Sequence, residues 1–394
     1  MRGRIRQYVL VLVLGLAGVL PAAAVPGPEL TKRMDERMDK ALERAAGRFG
    51  AAGVQAVAIR RGQVVWSGVR GLAVISPPRE VGADTMFAFA SLSKLMLTPF
   101  ALHQAENGVL DLDKPISAYL GDDLPGARVV TVRMLLTHTT GYPDVYADPA
   151  TEPLFPPGDR YDPNRPYTFE MLRPAIREPA NPGANFHYSN TGYLVLGHLL
   201  TTIAGGDEAF RQAYRDFLRR AGTPRAPLTE QQVTAERSPQ ALQRFAHGYT
   251  RHDNGSLTDF FTAHGARGIP TDLYGLPFTD GLLAGTAMGA GLVLDALFTR
   301  GNLLRPETLR HMVTPTPQAL RSQDFERSYG MGTYRTKTAG GSWQGHGGSY
   351  VGCTAMAGTD RDRGLTIAVV VNQNSAQRPA EVIWRELAEA SGGY

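Results

Sequence analysis

Ser91 and Lys94 stand three residues apart in Phe87-Ala88-Phe89-Ala90-Ser91-Leu92-Ser93-Lys94, at the start of an apolar stretch that reads as a helix. Residues at that spacing share a helix face, with Cβ atoms roughly 5–6 Å apart. A serine hydroxyl is a weak nucleophile until a base takes its proton. A lysine can be that base where partial burial or a second cation favours its neutral form. At a helix N-terminus the serine's own N–H also points at the reacting group and can hold a developing oxyanion. Taken alone, the spacing is a weak signal, since most Ser-x-x-Lys instances are solvated helix starts.

Two further clusters carry chemistry. Pro182-Gly183-Ala184-Asn185-Phe186-His187-Tyr188-Ser189-Asn190 precedes an apolar helix beginning near Tyr193. Its Tyr-x-Asn pairs a phenol, which can pass a proton to a leaving group, with an amide, which can hold a substrate carbonyl and an ammonium together. The plain alternative is a Pro-Gly turn followed by an Asn or Ser helix cap. Gly345-His346-Gly347-Gly348-Ser349 leads into a strand expected over 350–357. Glycines after the imidazole let a substrate backbone lie against a strand edge, with the imidazole a donor to the substrate; a glycine-rich turn is the plain alternative.

The surrounding periodicity supplies the elements that position these groups. Leu30, Met34, Met38 and Leu42 recur every four residues and predict an amphipathic helix ending near Gly50. Residues 54–60 and 63–69 read as strands joined across Arg61-Gly62, a hairpin signal. Residues 352–358 and 365–372 form a second β pair around a polar turn at 360–364, and a final helix follows over 379–390. The two ends of the chain therefore belong to one antiparallel sheet with helices packed on it. Between them lies a helix-rich middle, with helical periods at 95–105, 131–136, 168–176 and 193–203. Two irregular stretches, 142–167 and 222–281, are long enough to form the rim of a site or to be surface decoration.

The chain has 394 residues, 43% of them hydrophobic and 20% charged, enough for one large domain with a sizeable core. Arg2, Arg4 and Arg6, an apolar run from Tyr8 to Leu20 and Pro21-Ala22-Ala23-Ala24 read as a secretory signal cleaved near Ala24. The run is shorter than the ~20 residues a membrane anchor needs, so no stable membrane anchor is expected and the chain is placed in the periplasm or outside the cell. Those three arginines account for most of the formal charge of +4, so no nucleic-acid partner is inferred. The one cysteine, Cys353, can form no internal disulfide and reads as a buried strand thiol.

All three clusters occur in order, and together they resemble the penicillin-recognising serine hydrolases, the family of D-alanyl-D-alanine carboxypeptidases and class C β-lactamases. The likeness extends to Asn107–Ile116, to the hinge segment Val132–Gly141 and to Tyr329-Gly330-Met331-Gly332, which resembles the strand before the third motif; it spans roughly residues 35–390. The resemblance implies an α/β (α+β) β-lactamase/DD-peptidase-like fold: an antiparallel sheet flanked by helices, plus a mostly helical subdomain. On that reading residues 25–394 form a single domain, with the sheet part at about 25–90 and 298–394 and the helical part at about 91–297.

The family's roles fall on matching positions. Ser91 would be the acylated nucleophile and Lys94 its base. Tyr188 would pass the proton to the leaving group and help activate the deacylating water. Asn190 would position the substrate amide. His346, Gly347 and Gly348 would form the strand-edge motif, and the N–H groups of Ser91 and Ser349 the oxyanion hole. Whether lysine or tyrosine is the acylation base stays open. The expected chemistry is acyl transfer through a Ser91 ester and then hydrolysis, with no metal or organic cofactor. The first-choice substrate is a D-Ala-D-Ala-type peptide; an ester, a D-amino-acid substrate and β-lactams are the other small ligands the family implies. Class C β-lactamases have Lys where His346 stands, which argues against an efficient β-lactamase. His138 reads as structural and His187 as a pocket neighbour. Arg335 could meet a substrate carboxylate or be an ordinary solvated side chain.

Rival chemistries lack their residues. There is no Gly-x-Ser-x-Gly elbow and no His-Glu-x-x-His zinc motif. The rival from another class is a non-catalytic binder of cell-wall peptides on the same scaffold, which would have no use for Ser91 with Lys94.

Overall fold

A computed structural model describes residues 28–50, 52–155, 157–162, 167–223, 233–234, 243–263, 283–322 and 328–392. The expected export signal at 1–24 lies outside them, as does much of the stretch 222–281.

The chain opens with helix α1 (Pro28–Phe49), then β1 (Gly53–Arg60), β2 (Gln63–Val74), β3 (Arg79–Glu80) and β4 (Phe87–Ala88). The expected hairpin is there: Arg61 and Gly62 both take positive φ, 47° and 82°, as the tight two-residue turn between twisted strands requires. The helical middle follows, with α2 (Leu92–Glu106), α3 (Ser117–Leu120), α4 (Val132–Thr137), α5 (Phe169–Leu172), α6 (Asn190–Ala204) and α7 (Asp207–Arg219). The helical period read over 168–176 breaks after Leu172 into a 3₁₀ turn, Arg173–Ala175, because Pro174 has no N–H to continue the ladder.

Short strands β5 (Val233–Thr234), β6 (Tyr249–Arg251), β7 (Leu257–Asp259) and β8 (Ala284–Gly285) tie the middle back to the sheet. Then come β9 (Tyr334–Thr338), β10 (Gly341–Tyr350), β11 (Cys353–Asp360), β12 (Leu365–Val371), β13 (Gln373–Asn374) and the helix Pro379–Ala390.

Seven strands form one sheet in the order β3-β2-β1-β12-β11-β10-β9. Val54 opposes Val371 and Arg60 opposes Leu365, so both chain ends meet at its centre, antiparallel as expected. Every residue of β12 is buried, which is why Leu-Thr-Ile-Ala-Val-Val-Val reads as a continuous apolar run rather than an alternating one. One face is covered by α1 and the helix Pro379–Ala390, through Met38, Leu42, Trp66 and an edge-on pair, Trp343 and Trp384, at 5.3 Å. The other face carries the helical middle. The helix Ala287–Asp295, on the helical side of the boundary expected at 297, packs directly on β1: a Cβ on Gly291 would stand 2.9 Å from Ile59 Cδ1 and Val57 Cγ1.

Two local expectations are corrected. Residues 345–349 do not precede a strand at 350–357; they lie inside β10, and a turn at Val351-Gly352 separates it from β11. Its many glycines hid this strand, since glycine disfavours strands and marks turns. Tyr329–Gly332 is not a strand but a tight loop into β9, with Gly332 at φ 62° beside Thr98.

Candidate active site

Ser91 caps α2 at φ −61° and ψ −10°, yet its side chain makes no capping bond. Most helix-cap serines spend their oxygen on the helix amides; here the hydroxyl is left for Lys94. Ala90 precedes it at φ 47°, a left-handed backbone that alanine adopts only where surrounding structure imposes it. The turn between β4 and α2 thus aims Ser91 out of the helix start.

Lys94 is fully buried. Its Nζ donates to Ser91 Oγ at 3.0 Å and to Asn190 Oδ1 at 2.8 Å. The same nitrogen lies 5.1 Å from the ring centroid of Tyr188 and 5.7 Å from that of Tyr193, both within cation–π range. The fold therefore brings Ser91, Lys94, Tyr188 and Asn190 into one cluster.

The Tyr188–Asn190 loop is held by His138 of the hinge segment and Asp144 just beyond it, neither of which sequence reasoning had assigned to the site. Burial, reinforced by the charge on Lys94, pushes His138 far below the ordinary histidine range, so its ring is neutral at neutral pH. Its Nδ1 accepts from the Ser189 N–H at 3.3 Å, and its carbonyl accepts from the His187 N–H at 2.8 Å. Its ring stacks on Tyr188 at 4.2 Å. His138 itself has φ 56° at the end of α4. Asp144, six residues on, accepts from the Asn190 backbone and side-chain N–H groups. Neither has a signal of its own in sequence beyond its place, His138 in the hinge segment and Asp144 in the irregular stretch 142–167. His187, read as a pocket neighbour, has an exposed side chain.

β10 forms the opposite wall. Thr333 Oγ1 donates to the Gly345 carbonyl at 3.0 Å, and the Gly347 N–H donates to the Tyr334 hydroxyl at 2.7 Å. Alternate residues of a strand direct their backbone groups the same way, so Ser349 shares that outward direction. β9 pairs with β10 only as far as Gly345; past it the Gly347 N–H and carbonyl are taken up by Tyr334 and His346, so the edge open to an extended ligand begins at Ser349, which is exposed. Gly348 is pressed into the nucleophile turn: a Cβ there would lie 3.1 Å from Ala90 Cβ and from Leu92 N. This contact sets β10 directly against the turn that carries Ser91.

His346 departs from the expected picture of a donor to substrate. It is buried, its Nδ1 lies 2.5 Å from the Gly347 carbonyl and its Nε2 3.0 Å from the Tyr329 hydroxyl. A carbonyl can only accept, so Nδ1 carries the proton, and in the neutral ring Nε2 accepts from Tyr329. Both nitrogens are spent on the wall. Arg335 also lies elsewhere. It opposes Gln344 on β9, and lines a cavity of about 510 Å³ with Ser342, Gln344 and Arg361, roughly 13 Å along the strand from Gly348. The cation beside the open edge is Arg378 instead: its Nη2 would be 3.4 Å from a Cβ on Gly347. Cys353 is buried, as expected. Among the described residues, no group of three or more His, Cys, Asp or Glu side chains could hold a metal ion, and no helix is long and apolar enough to cross a membrane.

Comparisons with known proteins bear on the family and the fold. Over 198 residues the chain is 26% identical to penicillin-binding protein 4* of Bacillus subtilis, covering 49% of this chain and 41% of that protein. Over 141 residues it is 27% identical to a putative D-alanyl-D-alanine carboxypeptidase of Salmonella heidelberg, covering 34% of this chain and 32% of that one. The chain thus spans less than half the length of these relatives. Its fold matches that of a D-stereospecific amidohydrolase from a Streptomyces species at a TM-score of 0.69 and 24% identity, over 89% of this chain and 98% of the other. With the family model described as Beta-lactamase matching residues 32–391, the chain belongs to the beta-lactamase family of serine hydrolases.

Proposed function

We propose that this chain is an exported acyl-transfer hydrolase that uses Ser91 as nucleophile and acts on peptides ending in D-Ala-D-Ala. The observation that carries the reading is the double contact of Lys94 Nζ, with Ser91 Oγ at 3.0 Å and Asn190 Oδ1 at 2.8 Å, beneath the open edge of β10.

The steps follow from these positions. A peptide meets β10 at its exposed end, at Ser349, with its scissile carbonyl between the N–H groups of Ser91 and Ser349. Ser91 Oγ attacks the carbonyl carbon as its proton passes to Lys94 or Tyr188, whichever serves as the base. The two N–H groups hold the negative oxygen, the kind of fixed dipole that is worth about 3–4 kcal/mol per donor in acyl transfer. Collapse breaks the C–N bond, and Tyr188 hands a proton to the departing amine. Water then cleaves the Ser91 ester by the reverse sequence and frees the acid.

Arg378 favours a substrate with a terminal carboxylate. It pairs with Glu381 at 3.5 Å, but Glu381 also serves Arg385 at 3.3 Å, so one positive charge remains for a ligand beside Gly347. Both ring nitrogens of His346 are engaged within the wall, and Arg378 would take the part of a cation beside the third motif.

The test is covalent labelling with a fluorescent penicillin or a fluorophosphonate, with the label located by mass spectrometry. It is paired with a panel of D-Ala-D-Ala peptide, D-amino-acid amide, p-nitrophenyl ester and nitrocefin. Label on Ser91, absent in Ser91→Ala, with release of D-Ala as the fastest reaction, supports the proposal. Label with faster cleavage of the amide or the ester moves the assignment to a D-aminopeptidase or an esterase. A folded wild type that takes no label favours the binder. Export is tested separately, by N-terminal sequencing of protein recovered outside the cytoplasm, with a start near residue 25 expected.

A further inference from the structure

We propose that Asp144 is a positioning residue that locks the amide of Asn190 in the one orientation able to hold Lys94 against Ser91. The proposal rests on the serine-hydrolase reading above for its kinetic consequence, and on geometry alone for its structural one.

Asp144 Oδ2 accepts from the Asn190 backbone N–H at 3.0 Å and from Asn190 Nδ2 at 2.8 Å. Its other oxygen, Oδ1, accepts from the Tyr146 N–H at 2.9 Å and caps the 3₁₀ turn Val145–Ala147. Both oxygens of the carboxylate are therefore committed, and the group cannot swing away without breaking the turn. The backbone beside it is stitched to the same loop: Thr191 Oγ1 donates to the Pro143 carbonyl at 2.5 Å, and the Val145 N–H donates to Thr191 Oγ1 at 2.9 Å.

The chemistry of the donor set gives this contact its consequence. An asparagine amide has one accepting end and one donating end, which exchange when it turns by 180°. Facing Lys94, only the oxygen is useful, since an ammonium offers donors alone. Facing Asp144, only the nitrogen is useful, since an ionised carboxylate only accepts. The two neighbours demand the same orientation, and turning the amide would lose both bonds at once. The resulting chain of carboxylate, amide, amine and hydroxyl runs Asp144–Asn190–Lys94–Ser91, each link within hydrogen-bond distance. Without the carboxylate, Lys94 alone holds the amide, which can then turn or shift and loosen its hold on Lys94 over Ser91.

The experiment combines Asp144→Asn and Asn190→Ala, singly and together. In wild type, acylation of Ser91 by a fluorophosphonate and turnover of a p-nitrophenyl ester set the reference. For Asp144→Asn the expected result is a kcat lower by roughly 10–100-fold, the range seen when outer partners of functional ligands are removed, with KM changed less than about threefold. In the Asn190→Ala background, Asp144→Asn should add little, because its effect travels through that amide. A kcat within about twofold of wild type, or an equal further loss in the Asn190→Ala background, overturns the proposal. Crystal structures of wild type and Asp144→Asn read the geometry whatever the activity. The proposal expects the Lys94–Asn190 bond in wild type and its loss or a turned amide in the variant; an unchanged bond overturns it. An inactive, unlabelled wild type that keeps the bond, and loses it in the variant, sinks the hydrolase reading and leaves the positioning intact.

Discussion

Gly348 touches the backbone of Phe89: a Cβ at 348 would stand 2.1 Å from the Phe89 carbonyl oxygen. Real atoms do not approach so closely, so any side chain there must drive β10 away from the turn that carries Ser91. Gly347, one residue earlier on the opposite face, has more room, its nearest obstacle being the Tyr334 hydroxyl at 3.0 Å. Gly348→Ala is expected to lower kcat/KM for a p-nitrophenyl ester by at least about 100-fold, the scale of losing an oxyanion donor. Gly347→Ala should cost several-fold less. Equal losses in steady-state assays of the two variants would show that the contact with Phe89 does not set the width of the site.

Lys94 is a buried cation, and burying one is expensive unless every donor is served. Lys94→Met keeps much of the volume and removes the charge. Turnover of the ester should fall by roughly 10²–10⁴-fold or more, as for loss of a proton-transfer group. The melting temperature should stay within a few degrees of wild type or rise, as often happens when a strained functional site is made apolar. Lys94→Ala should be clearly less stable than Lys94→Met, because it leaves a cavity. Thermal unfolding followed by circular dichroism decides this; a large drop for the methionine variant would mean that the charge supports the fold rather than the chemistry.

Much of the site was legible because its central pair is local. Ser91 and Lys94 are one helical turn apart, and α2 follows directly in sequence. The hairpin at Arg61-Gly62 and the helix over 379–390 were equally readable, since each rests on short-range periodicity and turn chemistry. His138, Asp144 and Arg378 were not. Each acts on a segment far away in sequence, and no spacing rule connects a hinge residue near 140 to a loop near 190. Arg335 was nominated instead of Arg378 because nearness in sequence to the third motif stood in for nearness in space. Helix α7 also went unread: its Phe210, Tyr214 and Phe217 are plain in sequence, but their common partner, Phe100, lies on α2.

His138 makes stability depend on pH. Its native form is held below the ordinary value of 6.5, by burial first and then by Lys94. Below that pH the unfolded chain therefore binds a proton that the native ring refuses. The contribution is complete above pH 6.5 and is lost as the pH falls, by up to about 1.4 kcal/mol per unit. His138→Asn keeps a residue that tolerates the left-handed backbone but does not titrate. Urea unfolding at pH 7, 6 and 5 should show a shallower loss of stability in the variant. A slope identical to wild type would assign the acid sensitivity to other groups.

Arg378→Ala tests the carboxylate end of the proposed substrate. A charge-assisted hydrogen bond is worth about 1.5–3 kcal/mol, so KM for a peptide with a free C-terminus should rise roughly tenfold or more. Its amide-capped counterpart and the p-nitrophenyl ester should change by less than about twofold. A parallel change for charged and capped peptides, measured by D-Ala release and by ester turnover, would remove Arg378 from substrate recognition.

The meeting of the chain's two ends at the centre of the sheet has a consequence for how the protein comes to life. Asn372 Nδ2 donates to the carbonyl of Leu72 across 300 residues. Such pairings must wait until the late strands exist, and closing so long a span is slow. The serine and its amine can come together early, within a single turn of helix. The strand proposed to cradle the oxyanion, β10, is made only long after Ser91 and Lys94. On that reading a polypeptide that stops short of β10 is expected to be chemically mute, with competence appearing when the late strand docks.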